Sequence, residues 1–489
     1  MTQLHEHYFG DLEAFDEAEL NRDFFKDTFV TPNSMSTASL KNRKKFIIVG
    51  RKGVGKTAVQ MRLADQAIDD GYFATHFRFF YDMRGDDYSI LSKTQSGISL
   101  VSATNNRNLF LHYDFRDVWQ RVFFNKIAEH LIEKGVNNKF TKFVVPNNSP
   151  IKNIFEGITK TLTVNLTATT GSLAAEVGFD FSKLTDKKEV SLKDFNSISR
   201  QLFRRECSEY QMYFFIDELV FSRLEAREDE ITIRAAMVRD IIRTAWELNS
   251  FCAKEDLAFH FICSIRPEIR NLINDLDGEA GKLIDGKDVE LTWFSSGSND
   301  DTLIMDVLKK KIEFSSHTKC DFETFFTKKI NFGNRAINIS DFLKTNTWGR
   351  PRDIVRLLIA IQKKSPNKER IDQEAVKAGL DEYSRMSTKE IIDELGVGYG
   401  ANILSGIKRS ISKRFYEDEN SFWDALSQNI RNVDRGKLMA ELFELGFIGG
   451  RAKGTKNYYW AHRGETYLKS HHQIVIHQAL WNEFSIRGS

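Results

Sequence analysis

The 489-residue sequence contains only four cysteines and six prolines. The cysteines are scattered and form no C-x-x-C pair, which disfavours a disulfide framework and a zinc site. They are Cys207, Cys252, Cys263 and Cys320. A reducing, cytoplasmic compartment is therefore expected. With few prolines and no low-complexity tract, long disordered linkers are not expected.

The sequence also lacks an excess of either charge and any long apolar run. Its 70 Lys and Arg residues nearly balance 68 Asp and Glu residues, and the net charge of +2 predicts no general affinity for polyanions. No apolar run approaches the length that spans a bilayer, and the N-terminus has neither the basic start nor the apolar centre of a signal peptide. We therefore expect no membrane association, and the length predicts two to four domains.

What the sequence does contain is a phosphate-binding loop. The stretch FIIVGRKGVGKT, residues 46–57, fits G-x-x-x-x-G-K-[ST] between an apolar strand pattern and an amphipathic helix pattern. Backbone N–H groups of such a loop surround phosphate oxygens, while Lys56 reaches the β- and γ-phosphates and Thr57 offers its hydroxyl to Mg²⁺. The alternative is a simple glycine turn with a solvated Lys56, which does not require the complete motif. The predicted nucleotide contacts here are Gly50, Arg51, Lys52, Gly53, Val54, Gly55, Lys56, Thr57 and Ala58.

A second apolar run ends in two acids, in the stretch QMYFFIDEL. Asp217 is predicted to hold the water shell of Mg²⁺, and Glu218 to orient and deprotonate the attacking water as the general base. The alternative is an aspartate that caps the next helix. A P-loop kinase acting on a small substrate would not need the second acid, so the pair favours a hydrolase.

Five apolar stretches predict an α/β fold with a parallel five-stranded sheet. They are residues 46–49, 75–81, 213–216, the stretch LAFHFICSIRPEI, and residues 288–294. The fourth stretch carries Ser264 and Arg266 at its polar end. If this strand lies between the two motif strands, Arg266 meets the γ-phosphate and stabilises developing charge. A solvated arginine at a strand end is the alternative. A helix over 114–134, with Val118, Val122, Ile127 and Leu131 on one apolar stripe, and a β-hairpin over 161–181 are also predicted.

The motifs GRKGVGKT, FFIDE, FICSIR and WGRPRDIVRLL, in this order, resemble the STAND branch of AAA+-like P-loop ATPases. The resemblance covers about residues 8–360 and includes the YFG segment near the N-terminus. It implies ATP and Mg²⁺ as ligands, a helical lid and a C-terminal winged helix. Arg266 and Arg352 correspond to sensor arginines, and Gly349 and Pro351 to a G-x-P turn that lies against the base. We also expect a homo-oligomer, although no arginine finger is assigned.

The predicted domains follow from these motifs. They are an acidic N-terminal segment (1–45), an ATPase core (46–299) with an insertion at about 85–195, a helical lid (300–378) and a winged-helix domain (379–489).

The C-terminal part reads as a helix, a strand, a basic tip and a returning strand, which is typical of a winged helix. Leu438, Leu442 and Leu445 are expected in its core, and the tip carries Arg451, Lys453 and Lys456. Residues 403–489 contain 13 basic and 9 acidic side chains, a modest excess for contact with DNA phosphates. A wing that docks a protein is the alternative. A closing helix is predicted over 472–484.

These motifs predict an ATP-hydrolysing switch that reports its nucleotide state to DNA or to a partner protein. Two alternatives stay open: a DNA-binding loader or regulator in which ATP fixes a conformation, and a nucleotide-bound scaffold for a separate effector such as a nuclease. The resemblance adds anti-phage defence in bacteria as an expected setting.

Overall fold

The fold is that of a computed structural model, which describes residues 3–32, 34–35, 37–82, 114–145, 163–165, 172, 176, 189–219, 228–293, 302–316, 325–332, 335–396, 399–455 and 457–486.

Within the described residues the strands form one parallel sheet, one antiparallel sheet and two short hairpin-like pairs. In chain order they are β1 (Ile47–Val49), β2 (Phe73–Arg78), β3 (Thr163–Asn165), β4 (Glu189–Ser191), β5 (Gln211–Leu219), β6 (Ala258–Ile265), β7 (Asp288–Glu290), β8 (Lys329–Phe332), β9 (Arg335–Asn338), β10 (Phe415–Tyr416), β11 (Ile448–Arg451), β12 (Tyr458–Tyr459) and β13 (Gln473–Ile476).

The helices surround these sheets. In chain order they are α1 (Ala14–Leu20), α2 (Arg22–Thr28), α3 (Thr37–Lys41), α4 (Lys56–Asp69), α5 (Phe79–Asp82), α6 (Arg116–Glu133), α7 (Lys139–Val144), α8 (Leu192–Glu206), α9 (Glu228–Lys254), α10 (Pro267–Leu276), α11 (Gly278–Lys287), α12 (Thr302–Ser316), α13 (Ile339–Asn346), α14 (Pro351–Lys364), α15 (Gln373–Leu395), α16 (Ala401–Ser410), α17 (Glu419–Ser427) and α18 (Arg435–Glu444).

The parallel sheet confirms the predicted fold class. Its order is β2-β5-β6-β1-β7, with every neighbouring pair parallel. The strand β6 therefore lies between the loop strand β1 and the acidic strand β5, which is the condition on which the expected role of Arg266 depends. The residues of β1 are fully buried, as are nearly all of β5 and β6, which is why these strands read as continuous apolar runs.

Two strand boundaries differ from the prediction. The second strand begins at Phe73 and ends at Arg78, where the short helix α5 starts, instead of covering 75–81. The fifth is only Asp288–Glu290.

The stretch predicted as an insertion contributes to the core of the sheet domain. Helix α6 has the expected buried stripe, and its Phe123 packs against Phe214 of β5, with ring centroids 5.1 Å apart. Within the predicted hairpin, β3 pairs antiparallel with β4, which lies beyond the predicted range. The rest of 161–181, apart from Ser172 and Glu176, lies outside the described residues.

The lid helices and the C-terminal domain are joined by one helix. Helix α15 continues across 378/379, the predicted domain boundary, and ends at Leu395. After it, α16, β10, α17, α18 and the strands β11 and β12 follow in the order of a winged helix, and β13 completes a sheet of order β10-β13-β11-β12.

The predicted closing helix over 472–484 is wrong. Gln473–Ile476 is a strand that pairs with both β10 and β11. The run Ile474, Val475 and Ile476 is buried and β-branched, and such residues fit the centre of a sheet better than a helix.

The N-terminal segment packs on the lid. The backbone N–H of Leu4 donates to the carbonyl of Lys368 at 2.7 Å, and Gln362 donates to the carbonyls of Leu4 and His7. One hydrophobic cluster runs from this segment through α4 and the lid into the C-terminal domain. Among the described helices, none combines the length and apolarity required to cross a bilayer.

Candidate functional site

The loop between β1 and α4 has the shape of a phosphate cradle. Gly53 and Gly55 have φ values of +78° and +100°, which glycine adopts without strain. The ammonium group of Lys56 folds back over the loop and donates to the carbonyls of Gly50 at 2.7 Å and Arg51 at 3.1 Å. Burial, together with the nearby positive charge of Arg266, lowers the pKa of Lys56 to about 8. The loop thus holds a desolvated cation whose charge a phosphate would stabilise.

Asp217 links the two motif strands. Its Oδ2 accepts a hydrogen bond of 2.6 Å from the hydroxyl of Thr57. Its Oδ1 accepts from the hydroxyl of Ser264 at the end of β6 and from the backbone N–H of Glu218 at 2.8 Å. The carboxylate is buried, and these bonds fix both of its oxygens.

Glu218 is turned towards the same cavity by an irregular strand end. The register between β5 and β6 shifts between Ile216 and Leu219, and Glu218 has a φ of +58°, which is rare for residues other than glycine. Its Oε1 pairs with Arg78 at the end of β2, 3.2 Å away. Its Oε2 is buried and has no hydrogen-bond partner among the described residues. Burial, opposed by Arg78, raises the pKa of Glu218 to about 7. This is a carboxylate suited to take a proton near neutral pH.

The guanidinium of Arg78 is itself held between two rings. It lies 4.3 Å from the ring centroid of Phe15 and 3.8 Å from that of Tyr81. Arg78 was not predicted as a site residue, because its position depends on β2 lying beside β5.

The lid turn meets the apex of the loop. Gly349 has a φ of +63°, and Pro351 begins α14. Arg352 packs directly on Gly53, where an added Cβ would lie 3.0 Å from the Cβ of Arg352. Its Nε donates to the carbonyl of Leu12 at 2.8 Å. Arg352 therefore fills the space between the loop and the N-terminal segment.

Most other predicted site residues also reach this cavity. Lys52, Gly55 and Ala58 line it, and so do Ser264 and Arg266. Val54 is buried, and its carbonyl accepts a hydrogen bond of 2.8 Å from the indole of Trp293. Gly50, Arg51 and Gly349 are not in the lining: Gly50 is buried at the end of β1, and the charge of Arg350 acts on Arg51.

The cavity, of about 460 Å³, has an apolar end that was not predicted from the sequence. Its walls come from the N-terminal segment, α4, α12 and α14, and include Leu12, Phe25, Phe29, Val30, Pro32, Val307 and Val355. A buried ion pair between Glu17 and Lys311, at 2.7 Å, closes this end. The aromatic stretch RDFFKDTFV is the signal that could have shown that residues 1–45 are more than an acidic leader.

The residues present fit Mg²⁺. Thr57 and Asp217 offer a hydroxyl and a carboxylate within 2.6 Å of each other beside the phosphate loop. Mg²⁺ in such sites takes few protein ligands and keeps several waters. No group of three or more His, Cys, Asp or Glu side chains that could hold another metal occurs in the part of the chain that the structure describes.

The predicted wing forms, but its cations are not equivalent. Arg451 donates to the carbonyl of Thr455 at 2.8 Å and lies over the rings of Phe415 and Tyr458. Lys453 is exposed, and Lys456 lies outside the described residues. Arg451 is therefore used largely within the domain.

The lid region matches a known domain family. Residues 302–392 match the family model described as FunZ-associated C-terminal helical domain, which covers the lid helices α12–α15 nearly to the end of α15. No curated protein sequence matches the chain. Among solved structures, the chain is similar to the ORC2 protein of Aeropyrum pernix in its ADP form, with 11% identity, a TM-score of 0.32, and coverage of 91% of this chain and 94% of that one.

Proposed function

We propose that this protein is an ATP-binding and ATP-hydrolysing switch of the STAND/AAA+ type. The observation that carries the proposal is the meeting of Lys56, the Thr57–Asp217 pair and Glu218 at one cavity beside a glycine-rich loop. A cation, a metal-holding pair and a carboxylate with a pKa of about 7 are the groups that phosphoanhydride hydrolysis requires.

Each group has a defined task in this proposal. The loop amides and Lys56 bind the β- and γ-phosphates, and the apolar end of the cavity receives the base. Thr57 and Asp217 would hold Mg²⁺, which would supply neutralising charge. Glu218 orients the attacking water and accepts its proton through Oε2. Arg266 and Arg352 stand at the cavity wall, where a cation stabilises charge that develops on the γ-phosphate.

The switch would act through the lid and the C-terminal domain. Arg352 joins the loop to α14, so a triphosphate that contacts both would favour one lid position. In this proposal the C-terminal domain binds a DNA segment or a partner protein, which responds to the nucleotide state. The protein would act as a homo-oligomer in the cytoplasm, and the proposed setting is anti-phage defence. A scaffold for a separate effector is the alternative, in which ATP is bound but not hydrolysed.

Steady-state ATP turnover and equilibrium binding of a fluorescent ATP analogue test the proposal together. Wild type should bind the analogue in a Mg²⁺-dependent way and release phosphate. Lys44→Ala, a change at an exposed lysine before β1, is the matched control for Lys56→Ala. Binding without turnover would favour the scaffold, and absence of binding would refute the nucleotide site.

A further inference from the structure

Arg350, the residue between Gly349 and Pro351, holds the apex of the nucleotide loop from outside the cavity. Its Nη1 donates to the carbonyl of Lys52 at 2.9 Å. Its Nε and Nη2 donate to the two carboxylate oxygens of Asp353 at 2.8 and 3.0 Å, and Glu394 of α15 lies 3.9 Å away. The guanidinium is buried, and its bidentate fork fixes its orientation.

Trp348, two residues before Arg350, is anchored in the C-terminal domain. Its indole N–H donates to the carbonyl of Gly446, just after α18, at 2.9 Å. Its ring stacks on His477, with centroids 4.3 Å apart and an interplanar angle of 17°. Both side chains are buried, with exposed fractions of 1% and 2%.

The contact at Gly446 tolerates no side chain. Gly446 has a φ of +71°, and a Cβ there would lie 2.7 Å from Cδ1 of Trp348. The docking of the indole therefore depends on the backbone of the C-terminal domain itself.

The loop side of this junction carries a second connection. Arg51 lies beside Arg350, and among the charges that act on Arg51 are the carboxylates of Glu444 in α18 and Glu394 in α15. Lys52 is thus bound to the lid turn through its carbonyl, and the charges of the lid and the C-terminal domain act on its neighbour Arg51.

We propose that Arg350 is a positioning residue for the nucleotide loop, and that Trp348 makes this positioning depend on the docked C-terminal domain. The inference rests on the proposed function, since it names the surface through which the nucleotide site is regulated. Arg350 fixes the carbonyl of Lys52 and so the direction of the loop amides that phosphate oxygens need. Trp348 and Arg350 belong to one short turn. If Trp348 loses its contacts with Gly446 and His477, the side chains of Trp348 and Arg350 therefore both become free to move. By linkage, nucleotide binding must then favour the docked domain by the same factor.

Hydrogen–deuterium exchange of the nucleotide-free full chain tests this without any need for activity. Trp348→Phe keeps an aromatic ring against His477 but removes the N–H that binds Gly446. Peptides covering 446–451 and also 50–57 should exchange about fivefold faster, the effect of losing one hydrogen bond of ordinary net strength. Peptides covering β5 should keep the wild-type rate. Trp246→Phe, at an exposed tryptophan of α9, is the matched control and should change neither region.

If Trp348→Phe speeds exchange at 446–451 but not at 50–57, the proposed coupling between the C-terminal domain and the nucleotide loop is overturned. Arg350→Lys, which keeps the charge and loses the fork, should speed exchange at 50–57, and a wild-type rate there would overturn the positioning role. Binding of the fluorescent ATP analogue is measured in parallel, where Trp348→Phe should weaken affinity about two- to fivefold. If wild type does not bind the analogue, the proposed function fails, while the exchange rates still decide whether loop and domain are coupled.

Discussion

The hydroxyl of Thr57 donates to the carboxylate of Asp217 at 2.6 Å, although 160 residues separate them in the sequence. The distance is short because β1 and β5 end at the same edge of a parallel sheet, with β6 between them. Ser264 at the end of β6 donates to the same carboxylate, so the start of α4 and the ends of β5 and β6 are held together at one point. This point defines where a metal-bound phosphate would lie.

Replacing Lys56 with Ala should weaken ATP binding about 10- to 100-fold, the range expected for hydrogen bonds to a charged group. The ammonium group now rests on two loop carbonyls and would exchange these for phosphate oxygens. Titration with the fluorescent ATP analogue measures the loss, with Lys44→Ala as the control. Unchanged affinity in Lys56→Ala would contradict the assignment of the loop.

Glu218→Gln should bind ATP normally and hydrolyse it about 10²- to 10⁴-fold more slowly, as expected when a general base is lost. Asp217→Asn should instead weaken Mg²⁺-dependent binding, because Asp217 and its hydrogen-bonded neighbour Thr57 are the residues proposed to hold Mg²⁺. Single-turnover hydrolysis and Mg²⁺ titration separate the two effects. Identical behaviour of both variants would show that the two acids do not divide their roles in this way.

The pH dependence of ATP turnover should report the pKa of Glu218 and the influence of Arg78 on it. Because the base works when deprotonated, turnover should rise with pH through about 7, the pKa of Glu218. Arg78 opposes the upward shift, so Arg78→Met should raise that pKa further and move the acidic limb to higher pH. Tyr81→Phe keeps both the ring and the arginine and should leave the limb in place. An acidic limb that stays put in Arg78→Met would argue against Glu218 as the titrating group.

Stability should fall in acid, partly through His477. Burial lowers the pKa of His477 well below its usual 6.5, so the unfolded chain binds a proton there that the folded chain excludes. The free energy of unfolding must then decrease as the pH falls below about 6.5. His477→Phe keeps the stacking and removes this site, and should flatten the decrease by up to about 1.4 kcal/mol per pH unit. Urea unfolding at several pH values measures the slope, and a slope equal to that of wild type would refute the prediction.

Lys453 and Arg451 of the wing are expected to have different roles, the first in DNA binding and the second in the stability of the domain. If the wing contacts DNA, Lys453→Ala should flatten the salt dependence of binding by about one phosphate contact, with little change between DNA sequences. Arg451→Ala should chiefly lower the stability of the domain, because its guanidinium is held by Thr455 and two rings. DNA titrations at two salt concentrations decide the first point. Absence of DNA binding in wild type at low salt would leave a protein partner as the proposed reader.

Motifs with strict local spacing were predictable from the sequence. Lys56 and Thr57 lie within a loop whose geometry depends on neighbouring glycines, and Asp217 follows an apolar run that only a buried strand explains. The position of β6 between β1 and β5 could be stated only as a condition, because no local pattern fixes which strands are neighbours.

Features that depend on distant chain segments could not be predicted. Arg78 meets Glu218 because two strand ends are neighbours, and nothing local to Arg78 indicates this. Leu12 and Phe25 form the cavity wall only because the N-terminal segment folds back on the lid. The closing segment was mistaken for a helix because its Ile474 and Ile476 pair with two strands that precede it in the chain.

Helix α15 has a mechanical consequence. It lies along α14, and near its middle Ser384 and Asp381 bind Glu483 and Asn482 of the C-terminal domain. Its 23 residues form a rod about 34 Å long. With α14 on one side and the C-terminal segment on the other, α15 connects the lid to the winged helix. A turn of about 10° at Gln373 would carry Leu395 through about 6 Å, since the length of the rod multiplies the angle.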